Sequence, residues 1–172
     1  VSGGPPCQSF SMAGLRKKDC DKNSLPWEFA KFVEQVKPRF TILENVTGIL
    51  RAFEEEGVKY YAWKEVATAF SKIDYIPLCL HVNARFAGIP QNRPRFIMIG
   101  VRTDVYQQLE PTFNESEKAL FKSPVKFFNS LKDNIHTEDL KYHDVVNSED
   151  IKLFADSFLS SLVTAPSNHI SV

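Results

Sequence analysis

The chain has 172 residues, 43% of them apolar and 24% charged, with 21 Lys+Arg against 21 Asp+Glu. That length fits about one domain, and the composition is that of a globular chain and excludes disorder. No run of about 18 apolar residues occurs, which excludes a membrane-spanning helix, and zero net charge weighs against the basic footprint that nucleic-acid partners leave.

Val1-Ser2-Gly3 reads as the last step of a strand entering a Gly/Pro turn, with no basic or apolar leader before it. Residues 3–24 hold Gly3, Gly4, Pro5, Pro6 and Gly14 among Ser, Asp and Asn, and form a long loop. Loops beyond about 12–15 residues are usually functional or disordered. Leu25, Phe29, Phe32, Val33 and Val36 then make an amphipathic helical stripe, with Ser24 as N-cap and Pro38 beyond its end. Arg39 to Leu43 is a buried strand, and Glu44-Asn45-Val46-Thr47-Gly48 follows as a loop. Trp63, Val66, Ala67, Phe70 and Ile73 mark a second helix. Ile76, Leu78, Leu80 and Val82 alternate as a strand, residues 83–94 form a polar loop, and Phe96 to Val101 is another strand. In residues 103–172 only 151–162 reads as clearly helical, with Ile151, Phe154, Ala155, Phe158 and Leu162 on one face. Alternating strands and helices predict an α/β layer fold, the last two strands pairing antiparallel because no helix joins them. The chain starts inside a strand and stops at Val172 without a cap, so it reads as an internal piece of a longer protein.

Three cysteines, Cys7, Cys20 and Cys79, form no C-x-x-C pair and have no His at zinc spacing, so neither a disulfide scaffold nor a structural metal site is expected. Free thiols in a reducing compartment are the simpler reading. Three segments carry candidate chemistry. Cys7 lies in a turn after a strand, flanked by Gln8, Ser9 and Ser11, where a thiol is exposed and reactive; the plainer alternative is a free Cys in a polar loop. Glu44 follows a buried strand, where its ionisation is open to tuning, and the plainer alternative is a solvated strand end. Arg93 and Arg95, two apart after Gln91, offer forks suited to a phosphate or a base edge; taken alone they are a charged strand face.

Together the pattern is more specific. Gly3-Gly4-Pro5-Pro6-Cys7-Gln8-Ser9-Phe10-Ser11, then Glu44-Asn45-Val46, then Pro90-Gln91-Asn92-Arg93-Pro94-Arg95 resembles the cytosine-C5 DNA methyltransferases, in order and in separation. The resemblance covers about residues 1–102, and Asn168-His169-Ile170 is a faint further match.

The resemblance implies the second half of a Rossmann-like, S-adenosyl-L-methionine-dependent methyltransferase fold, truncated, with a mostly parallel sheet and an antiparallel edge pair. Residues 1–102 would be the catalytic half, and residues 103–172 an irregular or helical extension toward a target-recognition region that is mostly missing. Cys7 matches the nucleophile that adds to C6 of a flipped cytosine, and Glu44 the carboxylate at the N3 edge. Arg95 matches the contact to the base carbonyl, with Arg93 beside it. Gln8, Ser9, Ser11, Asn45 and Gln91 would line or position the DNA site. Only Pro6 and Leu25 match positions near the cofactor, because the family's glycine-rich motif would lie upstream of Val1. The implied cofactor is S-adenosyl-L-methionine and the partner duplex DNA, with no metal and no membrane, in a monomeric, non-secreted enzyme of the cytoplasm or nucleus. This piece alone is expected not to bind the cofactor appreciably. A tRNA cytosine-C5 methyltransferase shares the same motifs, and a non-catalytic DNA-binding relative is a third reading. A thiol hydrolase would need a His near Cys7, and His81, His136, His143 and His169 match no such pattern.

The charge balance also divides at this boundary. Residues 1–102 carry 15 Lys+Arg against 10 Asp+Glu, and residues 103–172 carry 6 against 11. All seven arginines lie in the half that holds the motifs.

Overall fold

A computed structural model describes residues 1–5, 25–55, 57–88, 90–133 and 139–145. Cys7, Cys20, the Ser24 cap and the helix expected at 151–162 lie outside them.

The two-residue strand β1 (Ser2–Gly3) pairs in parallel with β2 (Phe40–Val46), in the register Ser2↔Ile42 and Gly3↔Leu43. Helix α1 (Leu25–Val36) connects toward β2, where the apolar spacing places it. Its buried face differs from the expected stripe: Pro26, Ala30 and Val33 are buried, whereas Phe32 and Val36 are each 49% exposed. The rotation follows from size. Small Ala30 admits a close approach, and Phe29 seats over Gly3, where an added Cβ would lie 2.6 Å from its ring. Lys37 closes the helix in a left-handed conformation (φ 49°), with its N–H bonded to the Val33 carbonyl.

The loop expected from Glu44 begins later. Glu44, Asn45 and Val46 continue β2 because they keep pairing with Ile97, Phe96 and Arg95, and a 3-10 turn (Thr47–Leu50) follows. A small hairpin, β3 (Phe53–Glu55) and β4 (Val58–Tyr60), turns through Gly57 at φ 78°. Helix α2 (Ala62–Lys72), strand β5 (Tyr75–Asn83) and strand β6 (Pro94–Arg102) agree with the periodicity; both strands are slightly longer than their apolar runs, and the helix ends one residue before Ile73, its C-cap.

The sheet order is β1-β2-β6-β5-β7, with β7 at His143–Val145. The β5–β6 pair is antiparallel, as expected of two strands joined by a loop. Its position differs from expectation. Within the described sheet β6 is internal, antiparallel to β2 as well as β5, because β2 takes one side of it and β7 extends the sheet beyond β5. The β1–β2 and β5–β7 pairs are parallel, so the described sheet is half parallel rather than mostly so.

Residues 103–132 are largely helical. Helix α3 (Thr103–Leu109) leads through a 3-10 turn to the 18-residue α4 (Glu115–Lys132). One core packs α1 and α2, through Ala30, Val33, Trp63, Val66 and Phe70, on Leu43, Tyr75, Cys79, Phe96 and Met98. The other packs Val105, Tyr106, Phe113, Phe121 and Phe128 on Ile76, Leu78, Leu80, Ile99 and Val101. Helix α4 runs beside β5 and feeds both cores, Phe127 into the first and Phe121 and Phe128 into the second.

Candidate active site

The candidate residues gather beyond the carboxyl ends of β2 and β5, at the amino end of β6, the edge where open α/β sheets place their sites. Val46, Arg95, Val82 and Val145 form one row across this edge. Residues paired across strands share a face, as do residues two apart along one strand, so Arg95 is the diagonal neighbour of Glu44. Their side chains meet there, Arg95 Nε to Glu44 Oε1 at 2.6 Å. The Glu44 side chain is 48% exposed and that of Arg95 23%. An ion pair this open adds little stability, so its consequence is geometric: the carboxylate is held and one of its oxygens remains near Gly4.

Register brings Gly4 and Pro5, the residues that lead toward Cys7, to the same place. With Gly3 beside Leu43, Gly4 arrives beside Glu44, and a Cβ at Gly4 would lie 3.4 Å from Glu44 Oε2. Asn45 is 3% exposed, and its Nδ2 donates to the Pro5 carbonyl at 3.3 Å. Its Oδ1 accepts the Val46 N–H at 2.7 Å. The chain is thus tied to β2 two residues before Cys7. Pro6, Cys7, Gln8, Ser9 and Ser11 lie outside the described residues.

The structure therefore brings Glu44, Asn45 and Arg95 together with the approach to Cys7. Arg93 lies two residues before Arg95, just ahead of β6; it is exposed, and its backbone N–H bonds to Asn83 Oδ1 at 3.2 Å. Gln91 is exposed in the same connection, and Leu25 is partly buried at the start of α1. Asn83 was not anticipated, although an Asn closing an alternating run is a known turn-former. Cys79, by contrast, is buried, and burial pushes its thiol well above the usual range, so it is an inert core residue.

Among the described residues no group of three or more His, Cys, Asp or Glu could hold a metal ion, and no helix is long and apolar enough to cross a membrane. Of the two residues matched to S-adenosyl-L-methionine, only Leu25 is described.

The profile of C-5 cytosine-specific DNA methylases matches residues 1–160. The chain is 34% identical over 135 residues to the type II methyltransferase M.DdeI of Desulfomicrobium norvegicum, covering 73% of this chain and 32% of that protein. It is 33% identical over 146 residues to the type II methyltransferase M.AquIA of a Picosynechococcus species, covering 80% of this chain and 59% of that one. The chain thus spans about a third of the first relative's length and three-fifths of the second's. A crystal structure described as a DNA modification methyltransferase encoded within an E. coli prophage aligns with TM-score 0.46 at 32% identity, over 60% of this chain and 26% of that one.

Proposed function

The chain belongs to the C-5 cytosine-specific DNA methylase family, and from that premise we propose that it carries the catalytic centre of a DNA (cytosine-5-)-methyltransferase. The observation that supports this most directly is the Glu44–Arg95 pair at 2.6 Å beside the Gly4-Pro5 approach to Cys7. A nucleophile, an acid for the ring nitrogen and a cation for the base carbonyl would then converge on one flipped cytosine.

In this reading the Cys7 thiolate forms a bond to C6. The C5=C6 electron pair moves to make C4=C5, and the C4=N3 pair goes to N3, where Glu44 supplies a proton. Arg95 holds Glu44 and faces the carbonyl. The ring is then an enamine, nucleophilic at C5. S-adenosyl-L-methionine would supply the methyl group, from a site completed by residues beyond those described. As C5 acquires the methyl group, N3 returns its proton to Glu44. A water molecule then takes the C5 proton, the C5–H electron pair makes C5=C6, and the S–C6 bond breaks with its pair returning to sulfur, which restores the aromatic ring. Asn45 would keep Cys7 in register with Glu44 by holding the Pro5 carbonyl. The pieces 1–102 and 103–172 are, on this view, the catalytic half and the passage toward target recognition.

The test is a covalent trap on the intact polypeptide that carries this chain. DNA containing 5-fluorocytosine blocks the last elimination, because fluorine cannot leave as a proton does. With cofactor present, a complex stable to denaturation should form, and Cys7→Ser should abolish it. A trap that persists in Cys7→Ser removes Cys7 from the mechanism. A trap formed with tRNA bearing the same base, and not with duplex DNA, transfers the reading to an RNA substrate.

A further inference from the structure

Beneath the candidate centre one register row crosses the sheet. Asp144 of β7 stands beside His81 of β5, His81 opposite Phe96 of β6, and Phe96 opposite Asn45 of β2. Residues paired in this way share a face, and here it is the face that α2 covers. At one end of the row His81 Nδ1 and Asp144 Oδ1 meet at 2.8 Å. At the other end Asn45 Nδ2 holds the Pro5 carbonyl, two residues before Cys7.

An aromatic cluster lies over this row. The Trp63 ring of α2 is 6.3 Å from the Phe96 ring and 5.6 Å from that of Tyr142, the second contact edge-on at 82°. Tyr142 also meets the His81 ring edge-on, with centroids 6.3 Å apart. Trp63 is 3% exposed, and its Nε1 has no hydrogen-bond partner among the described residues. The indole is therefore oriented by the rings that touch it, in the arrangement aromatic pairs prefer. Tyr142 in turn is fixed from both sides along the chain. Asp139 pairs with Lys64, Leu140 is buried in the first core, and the Lys141 N–H donates to Ser123 Oγ at 3.1 Å. Beyond Tyr142, Asp144 pairs with His81.

We infer, on the DNA methyltransferase reading above, that Tyr142 is a positioning residue for the nucleophile. It holds Trp63 against Phe96, Phe96 fixes the seat of Asn45, and Asn45 sets the Pro5 carbonyl and with it the line of approach of Cys7. Phe96 and Asn45 are both buried, and a close-packed interior passes a displacement on rather than absorbing it. Tyr142 itself is 38% exposed, so its removal leaves no enclosed cavity; it releases the outer side of Trp63. Residues 139–145 thus take part in the chemistry, beyond leading toward target recognition.

The intact polypeptide, with cofactor and a saturating duplex containing 5-fluorocytosine, is followed for rate of covalent trapping, beside duplex affinity and melting temperature. Tyr142→Ala should slow trapping by about 10-fold, since a shift of about 1 Å at the reacting atoms can cost about 100-fold and this one is passed through two rings. Duplex affinity should change by less than about 2-fold, the mark of a residue that serves the reaction and not binding. Tyr142→Phe, which keeps both ring contacts, should trap at the unsubstituted rate. Leu109→Ala, partly buried against the second core, removes packing without touching the row, and should lower the melting temperature and leave trapping unchanged. Asn45→Ala should slow trapping too, and Tyr142→Ala added to it should slow it little further, whereas effects of separate residues multiply. Trapping by Tyr142→Ala at the unsubstituted rate, an equal slowing in Leu109→Ala, or effects of Tyr142→Ala and Asn45→Ala that multiply would overturn the positioning role while the catalytic reading stands. An unsubstituted protein that traps no duplex overturns both.

Discussion

At the scale of single residues, Gly4 decides how much room the candidate carboxylate has. A methyl group there would stand 3.4 Å from Glu44 Oε2, in van der Waals contact, while Arg95 holds the other oxygen at 2.6 Å. The methyl group just fits, and a longer side chain would compete with the carboxylate, where misplacement by about 1 Å can cost about 100-fold in rate. Gly4→Ala should therefore leave covalent trapping within about 3-fold, whereas Gly4→Leu should slow it by roughly 10- to 100-fold with the melting temperature shifted by only a few degrees. A trapping rate in Gly4→Leu equal to that of the unsubstituted protein would remove Gly4 from the site. Glu44 and Arg95 were legible in the sequence because each sits in a run of residue types with a chemical purpose. Gly4 and Asn83 were not read as such. Their importance depends on which chain segment lies across from them, and neither a glycine in a turn nor an Asn at a strand end states its partner.

At the scale of elements, α4 shows why a helix can escape a periodicity search. Leu120, Phe121, Val125, Phe127, Phe128 and Leu131 do not form one narrow stripe, because the helix feeds the cores on both faces of the sheet. Pro124 interrupts the pattern further, yet it is buried within the helix. The start was readable in principle. Asn114 and Glu117 make a capping box, with the Glu117 N–H donating to Asn114 Oδ1 at 2.9 Å and the Asn114 N–H to Glu117 Oε2 at 2.7 Å. Asn114→Ala should cost about 1 kcal/mol, seen as a fall of a few degrees in a thermal melt; an unchanged melt would mean that water replaces the cap without loss. The end of β2 was misread for a related reason. Glu44 and Asn45 are polar, but one faces the open edge while the other is buried and bonded to Pro5, an alternation that only the neighbouring strands reveal.

At the scale of the whole molecule, stability should decline on the alkaline side. The Tyr75 hydroxyl donates to the Pro38 carbonyl at 2.6 Å, and burial pushes its phenol up to about 12. In the unfolded chain a tyrosine titrates near about 10. Between those two values the unfolded chain releases a proton that the folded protein keeps, so folding free energy is lost as pH rises through this window. Burial pushes Tyr106 up as well, in the same sense. Tyr75→Phe should lower stability at neutral pH by about 1 kcal/mol through the lost hydrogen bond. It should also make the alkaline decline shallower, as read from denaturant midpoints at about pH 9 and about pH 11.5. An equally steep decline would assign the alkaline limb to other groups. The layered α/β plan was visible from the order of helices and strands, but the internal place of β6 was not, since a hairpin's outer neighbour is a long-range choice. That place has a consequence in time. The β5–β6 hairpin can form locally as the chain is made, whereas Glu44 waits on β2, about 50 residues from Arg95 along the chain. The ion pair at the candidate centre closes only when the hairpin docks beside β2. A chain arrested before that event holds every residue of the candidate centre in order along the sequence, with Glu44 and Arg95 still apart.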